Sequence, residues 1–149
     1  MDLFEQISND IKEAMKAKDK VRLETLRNVK KVFLEAKTAP GANDTLTDEI
    51  ALKLMQKLVK QGKDSAESYQ QAGRPELAEE EMAQVRVIEA YLPKQLSPEE
   101  LEAKLKDIIA RVGATSAKEM GKVMGVATKE LAGLAEGRTI SAKVKELLN

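Results

Sequence analysis

Two lysines and two glycines alternate along one short segment, and their types and spacing suit the binding of an anion. The segment reads Lys118-Glu119-Met120-Gly121-Lys122-Val123-Met124-Gly125. A glycine inside a helix costs about 1 kcal/mol relative to alanine. Two of them four residues apart therefore suggest that another molecule approaches this backbone closely. The neighbouring lysines suggest that this molecule is negatively charged.

A helical projection of residues 118–131, at 100° per residue, separates this segment into two faces. The apolar face carries Met120, Val123, Met124, Ala127 and Leu131. The opposite face, which we call the basic glycine face, carries Lys118, Lys122, Gly125 and Lys129, with Gly121 beside them. Such a surface admits a phosphodiester backbone to close contact while the lysines act as point charges. Arg138, between Gly137 and the expected start of the last helix, is a further candidate phosphate ligand.

Two simpler interpretations of the same face stay open at this point. A helix face that bears lysines is usually only solvated. The glycines could instead admit a neighbouring helix, as small residues generally do. Spacing alone does not choose between these interpretations and anion binding.

The residue types that the chain lacks exclude many kinds of site. There is no histidine and no cysteine, which removes imidazole bases, thiol nucleophiles, disulfides and Cys/His zinc sites. Aromatic residues make up only 3% of the chain, too few for a base-stacking platform. Serines and tyrosines lack a neighbouring base, and no glycine-rich loop follows a strand. The acidic run at 79–81 reads as a solvated helix face. The sequence therefore predicts no catalytic residue, no metal and no cofactor.

The charge balance and the hydropathy of the chain limit its expected cellular location and its expected binding partners. The 25 basic and 25 acidic residues cancel, so a nucleic-acid site would have to be a local patch. The N-terminal residues lack the basic region and apolar run of a secretory signal. No apolar run reaches the roughly 18 residues of a membrane span. These features predict a cytoplasmic protein without a membrane partner, and DNA is not an expected ligand.

Apolar periodicity predicts an all-α fold in two domains. Residues 1–92 read as four amphipathic helices, at about 2–18, 20–37, 47–71 and 75–92. Thr47 is the expected N-cap of the third helix, Gly62 could bend it, and Pro93 should end the fourth.

Residues 93–149 read as a small three-helix domain. Ser97, Pro98 and Glu100 predict a capping box at its first helix. Ser116 and Glu119 repeat that spacing before the second helix. Thr139 or Ser141 is the expected cap of the last helix.

Three segments of the chain resemble the GatB/YqeY family and, within it, free-standing YqeY-like proteins. They are Ile11-Lys12-Glu13-Ala14-Met15-Lys16, Val87-Ile88-Glu89-Ala90-Tyr91-Leu92-Pro93-Lys94-Gln95-Leu96-Ser97 and Met120-Gly121-Lys122-Val123-Met124-Gly125. The resemblance covers essentially the whole chain. Two positions depart from the usual family pattern while keeping the charge, since Glu119 and Glu136 stand where aspartate is common.

The resemblance implies a larger helical domain followed by a small one similar to the tail of the B subunit of the tRNA-dependent amidotransferase. That enzyme amidates misacylated Glu-tRNA or Asp-tRNA with glutamine as nitrogen donor, and its tail is associated with tRNA binding. Its kinase and transamidase chemistry lies in a part that this chain lacks. A carbon–nitrogen ligase label would thus be inherited by similarity, and we expect no such catalysis from this chain alone.

Two hypotheses follow for the function. The first is a tRNA-binding or tRNA-related accessory protein in which Lys118, Lys122, Lys129 and Arg138 contact phosphates and Gly121 and Gly125 allow close approach. The alternative is a helical protein-interaction module without RNA binding. It would dock through exposed methionine and leucine residues on another protein, for example an aminoacyl-tRNA synthetase or an amidotransferase component.

Overall fold

The computed structural model describes residues 2–149. The secondary structure of these residues confirms the predicted all-α fold class. Seven α-helices and one short 3-10 turn are present, and no strand occurs within this range. The helices are α1 (Leu3–Ala17), α2 (Lys20–Lys37), α3 (Asp48–Gln71), α4 (Pro75–Glu89), α5 (Pro98–Val112), α6 (Met120–Glu130) and α7 (Gly137–Leu148), and the 3-10 turn is Ala117–Glu119. None of the described helices has both the length and the apolar character that a membrane crossing requires.

The chain divides into two compact units, Met1–Leu92 and Pro93–Asn149. The first unit holds α1 to α4 around an aliphatic core with one aromatic ring, that of Phe33. Its buried members are Ile7, Leu26, Val29, Phe33, Ala51, Met55, Val59, Val85 and Ile88. This composition follows from the scarcity of aromatic residues, because helices must then bury Leu, Ile, Val, Met and Ala faces.

The helix ends of the first unit follow the local signals of the sequence. Thr47 caps α3, since its hydroxyl accepts a hydrogen bond of 3.2 Å from the Ile50 N–H. Gly73 follows α3 with a φ of +74°, a conformation that favours glycine. Pro75 then occupies the first turn of α4.

Gly62 has a packing role that the sequence interpretation missed. A Cβ atom at this position of α3 would lie 2.5 Å from Cγ2 of Val85 on α4. Gly62 therefore allows two helices to approach each other closely.

The fourth helix ends earlier than predicted. It stops at Glu89, and the N–H groups of Tyr91 and Leu92 bond to carbonyls three residues back. Pro93 prevents the helix from continuing through Leu92, because the residue before a proline is disfavoured in the α conformation, and the chain leaves the helix in tighter turns.

The second unit packs α5, α6 and α7 around its own aliphatic core. The capping box at α5 is confirmed, with Ser97 Oγ accepting from the Glu100 N–H and Glu100 Oε1 accepting from the Ser97 N–H, both at 3.1 Å. Gly113 ends this helix with a φ of +71°.

The predicted capping box at Ser116 is wrong. Ser116 makes no side-chain cap bond, and the 3-10 turn separates it from α6. Glu119 instead accepts hydrogen bonds from the N–H and the hydroxyl of Thr115, at 3.3 and 3.2 Å. Consequently α6 begins only at Met120.

The predicted start of the last helix is also wrong. α7 begins at Gly137 rather than after Thr139 or Ser141, and Glu136 is its N-cap without a side-chain cap bond. Ile140, Val144 and Leu148 recur every four residues and are all buried. Since Ile140 must already be helical to share their face, the helix has to begin before it.

Candidate nucleic-acid interface

Two buried side chains fix the rotation of α6 about its axis. Val123 and Ala127 are fully buried in the core of the second unit, and Leu131 just after the helix is 2% exposed. Met120 and Met124 are partly buried and pack against the same core. The opposite side of α6 therefore faces away from the core, as the helical projection predicts.

That opposite side is open. Gly121, Lys122, Gly125 and Lys129 are all exposed. A Cβ atom added at Gly121 or at Gly125 would meet no other atom within 4 Å. Hence no neighbouring helix within residues 2–149 uses these glycines for packing, in contrast to Gly62 of α3.

The cations of the candidate site have no acidic partner among the described residues. Lys118, Lys122, Lys129 and Arg138 are exposed, and none forms a side-chain hydrogen bond or ion pair with residues 2–149. The two acids that border α6 are engaged elsewhere. Glu119 accepts from Thr115, and Glu130 binds Arg111.

The pair between Arg111 and Glu130 joins the end of α5 to the end of α6. It is bidentate, with Nη1 to Oε1 at 2.8 Å and Nη2 to Oε2 at 2.6 Å. Asp107 accepts a further bond of 3.0 Å from Arg111 Nε. The guanidinium lowers the pKa of Glu130, chiefly by hydrogen bonding, and the pKa of Arg111 is raised in return. Glu130 is therefore held as a carboxylate against Arg111 rather than against Lys129.

The structure separates the predicted site residues into three positions. Lys122, Gly125 and Lys129 share one face of α6 with Gly121 beside them. Lys118 lies on the 3-10 turn before the helix, so its place in the helical projection is wrong. Arg138 is not in a loop but in the first turn of α7.

The loop that leads from α6 to α7 is held by the segment that precedes α5. The side-chain amide of Gln95 donates to the carbonyls of Pro93 and Gly133, at 3.0 and 2.6 Å. The Leu96 N–H donates to the Leu134 carbonyl at 2.9 Å. These bonds tie Gly133 and Leu134, just before α7, to the segment that precedes α5.

The acidic run at 79–81 is only in part the solvated face that the sequence predicts, since Glu79 and Glu80 are exposed while Glu81 is half-buried. Glu79 accepts from Arg86, and Glu89 pairs with Lys63 at 3.6 Å. Within residues 2–149, no three acidic side chains come together in a way that could hold a metal ion.

Comparison with known proteins places the whole chain in one family. The model of the YqeY-like protein family matches residues 4–148. Curated relatives carry the name "Altered inheritance of mitochondria protein 41, mitochondrial". The relative from Pyrenophora tritici-repentis is 29% identical over 147 residues, which cover 96% of this chain and 79% of that protein. Those from Vanderwaltozyma polyspora and Lachancea thermotolerans are 31% and 30% identical, over 76% and 75% of this chain. The matches span only 64% and 60% of those two relatives.

These names correct the predicted location. The relatives are named as mitochondrial proteins, which overturns the expectation of a cytoplasmic protein. The N-terminal residues indicate only that the pattern of a secretory signal is absent. The absence of that pattern does not distinguish a cytoplasmic protein from an organellar one.

The family match runs through both compact units and includes the basic glycine face. With residues 4–148 matched, the chain belongs to the family of YqeY-like proteins.

Proposed function

We propose that the second unit binds folded RNA, tRNA in particular, through phosphate contacts of the basic glycine face. The observation that supports this proposal is that two glycines leave the helical backbone of α6 accessible beside lysines that have no acidic partner in the described chain. Gly121 and Gly125 face open space, and Lys122 and Lys129 beside them have no acidic partner within residues 2–149.

The spacing of the lysines suits separate phosphates of one strand. Lys122 and Lys129 are seven residues apart on one face, which corresponds to about 10 Å along the helix axis. A strand that crosses this face would come close to the backbone at Gly125, where no side chain holds it away. Such contacts are made to phosphates and carry little sequence information, so recognition would depend mainly on RNA shape.

The role that fits this chemistry is that of an accessory protein. The chain has no histidine or cysteine, and its basic face offers lysines without a neighbouring base. Its resemblance to the tail of the amidotransferase B subunit supports tRNA as the ligand. A synthetase or an amidotransferase component would then supply the catalysis, and the family-level carbon–nitrogen ligase label would describe that partner.

The alternative, a protein-interaction module, has less support in the second unit. Its methionines Met120 and Met124 pack against the core. The large apolar side chains that are well exposed, among the described residues, all lie in the first unit: Met15, Val21, Leu34 and Ile50.

The test is a titration of the full chain with tRNA at several salt concentrations. We expect Lys122→Glu and Lys129→Glu each to weaken binding and to reduce the slope of log affinity against log salt by about one. Lys145→Glu is the matched control, since Lys145 is exposed on α7, has no acidic partner in the described chain and gives the same change of net charge.

The proposal would fail if tRNA did not bind at low salt. It would also fail if Lys145→Glu weakened binding as much as Lys122→Glu. Recovery of a protein partner that resists nuclease and high salt, without any RNA, would favour the interaction module instead.

A further inference from the structure

A polar groove opens among α2, α3 and α4 of the first unit, in a place that the sequence did not single out. Its volume is about 160 Å³. The apolar part of its lining comes from Leu58, Val85 and Ile88, next to Gly62. The polar part comes from Thr25, Asn28, Gln61, Ser65, Glu81 and Gln84.

Most of these polar side chains have no hydrogen-bond partner in the described part of the chain. Thr25 uses its hydroxyl to bond the Val21 carbonyl at 2.7 Å. The other five side chains make no hydrogen bond or ion pair with any residue of 2–149. Ser65 and Glu81 are half-buried, and the other three are exposed. Donors and acceptors of three different helices thus surround one small concave surface that also contains a limited apolar patch.

The charge of the lining excludes anionic ligands. No lysine or arginine lines the groove, and Glu81 is its one ionisable side chain. A phosphate or a carboxylate would therefore meet a carboxylate without a compensating cation. The ligand must be neutral or positively charged and must donate hydrogen bonds, because Glu81 only accepts them when ionised.

We propose that this groove binds a single nucleobase whose Watson–Crick edge places an exocyclic amino group next to a ring-nitrogen acceptor, as in adenine and cytosine and unlike guanine. Asn and Gln side chains pair with the adjacent acceptor and donor of an adenine edge, and a Glu carboxylate accepts from the amino group of cytosine. The flat face of the ring would lie over Leu58, the half-buried member of the apolar lining. A simple aliphatic ammonium would satisfy Glu81 but leave the amides without a planar partner.

The dimensions agree with one ring system. A volume of about 160 Å³ suits a single base and not a folded chain. This proposal is independent of RNA binding by the second unit, because its probes are free nucleosides and its residues all belong to the first unit.

The experiment is an NMR titration of the full-length, nitrogen-15-labelled protein with adenosine, cytidine, uridine and butylammonium. We expect adenosine and cytidine to shift the side-chain amide signals of Asn28, Gln61 and Gln84. Uridine and butylammonium should bind at least about tenfold more weakly.

Two isosteric variants provide the matched comparison. Glu81→Gln should weaken adenosine and cytidine binding about tenfold, because it replaces the charged acceptor. Glu80→Gln alters the preceding exposed carboxylate, which does not line the groove, and should leave affinity unchanged. Equal binding of all four probes, binding of butylammonium alone, no binding, or equal effects of the two variants would each overturn the proposal.

Discussion

Gly62 on α3 and Val85 on α4 are so close that a Cβ atom at position 62 would lie 2.5 Å from Val85 Cγ2. Val85 is 1% exposed and β-branched, so it cannot swing aside easily. Gly121 and Gly125 have no such neighbour. Glycines inside helices thus have two different environments in this chain, and only that of Gly62 is internal packing.

Gly62→Ala should destabilise the first unit. Overpacking costs about 1–3 kcal/mol, of which the better helix propensity of alanine offsets up to about 1 kcal/mol. Both tyrosines, Tyr69 and Tyr91, lie in this unit and the chain has no tryptophan, so tyrosine fluorescence during urea unfolding reports on it. Adding Val85→Ala should cost less in the Gly62→Ala background than in the wild type. Additive effects would contradict the contact.

Gly121→Ala and Gly125→Ala should have the opposite effect on stability. Each position is open, so alanine should stabilise α6 by up to about 1 kcal/mol. If RNA approaches this backbone, the same variants should nevertheless bind tRNA more weakly. Circular dichroism in urea measures the first quantity and tRNA titration the second. A gain in stability without a loss of affinity would show that the bare backbone is not needed.

The capping serines of the second unit offer a matched pair. Ser97→Ala should cost about 1 kcal/mol, because it removes the hydroxyl that accepts from the Glu100 N–H. Ser116→Ala should change stability by less than about 0.5 kcal/mol, because Ser116 caps nothing. Urea unfolding followed by circular dichroism compares the two. Similar costs would mean that the spacing at Ser116 does form a capping box.

The bidentate pair of Arg111 and Glu130 should make the second unit sensitive to acid. The pKa of Glu130 is lowered by Arg111, so the stabilisation is present above the ordinary value of 4.5 and is lost as pH falls through the lower value of the folded state. Glu130→Gln should therefore lower the urea midpoint at neutral pH, and its difference from wild type should shrink on acidification. Glu99→Gln, which removes an exposed carboxylate of α5 without an ion pair in the described chain, is the control.

The pKa of Tyr91 should lie well above that of a free tyrosine. Burial, and then its hydrogen bond to Asp10, raise the pKa of Tyr91 to about 12. Stabilisation by the neutral phenol is thus complete below pH 10 and is lost as pH rises toward 12. In Tyr69→Phe, where Tyr91 is the remaining tyrosine, tyrosinate absorbance should appear at higher pH in native than in urea-unfolded protein. Coincident titrations would rule out the half-buried hydrogen bond between Tyr91 and Asp10.

Several features of the site could be predicted from local sequence. The apolar spacing of Val123, Ala127 and Leu131 indicates which side of α6 is buried, and the structure agrees. The cap at Ser97 depends on residues three apart, so it too is readable from the chain. The prediction failed at Ser116, because Glu119 found a competing partner in Thr115. The spacing of two residues shows that their side chains can meet. It does not show whether a third residue, here Thr115, binds one of them instead.

The order of the helices, the caps at Thr47 and Ser97 and the apolar side of α6 could be read from the chain alone, because these depend on residues within a few turns of one another. The packing of the helices determines that Gly62 contacts a neighbour while Gly121 and Gly125 are open. Helix packing also brings Glu130 to Arg111, so that Lys129 has no acidic partner in the described chain. It likewise brings side-chain amides of three helices together around one groove. The physical reason is that these contacts join residues far apart in the chain, whose meeting is set by how whole helices pack.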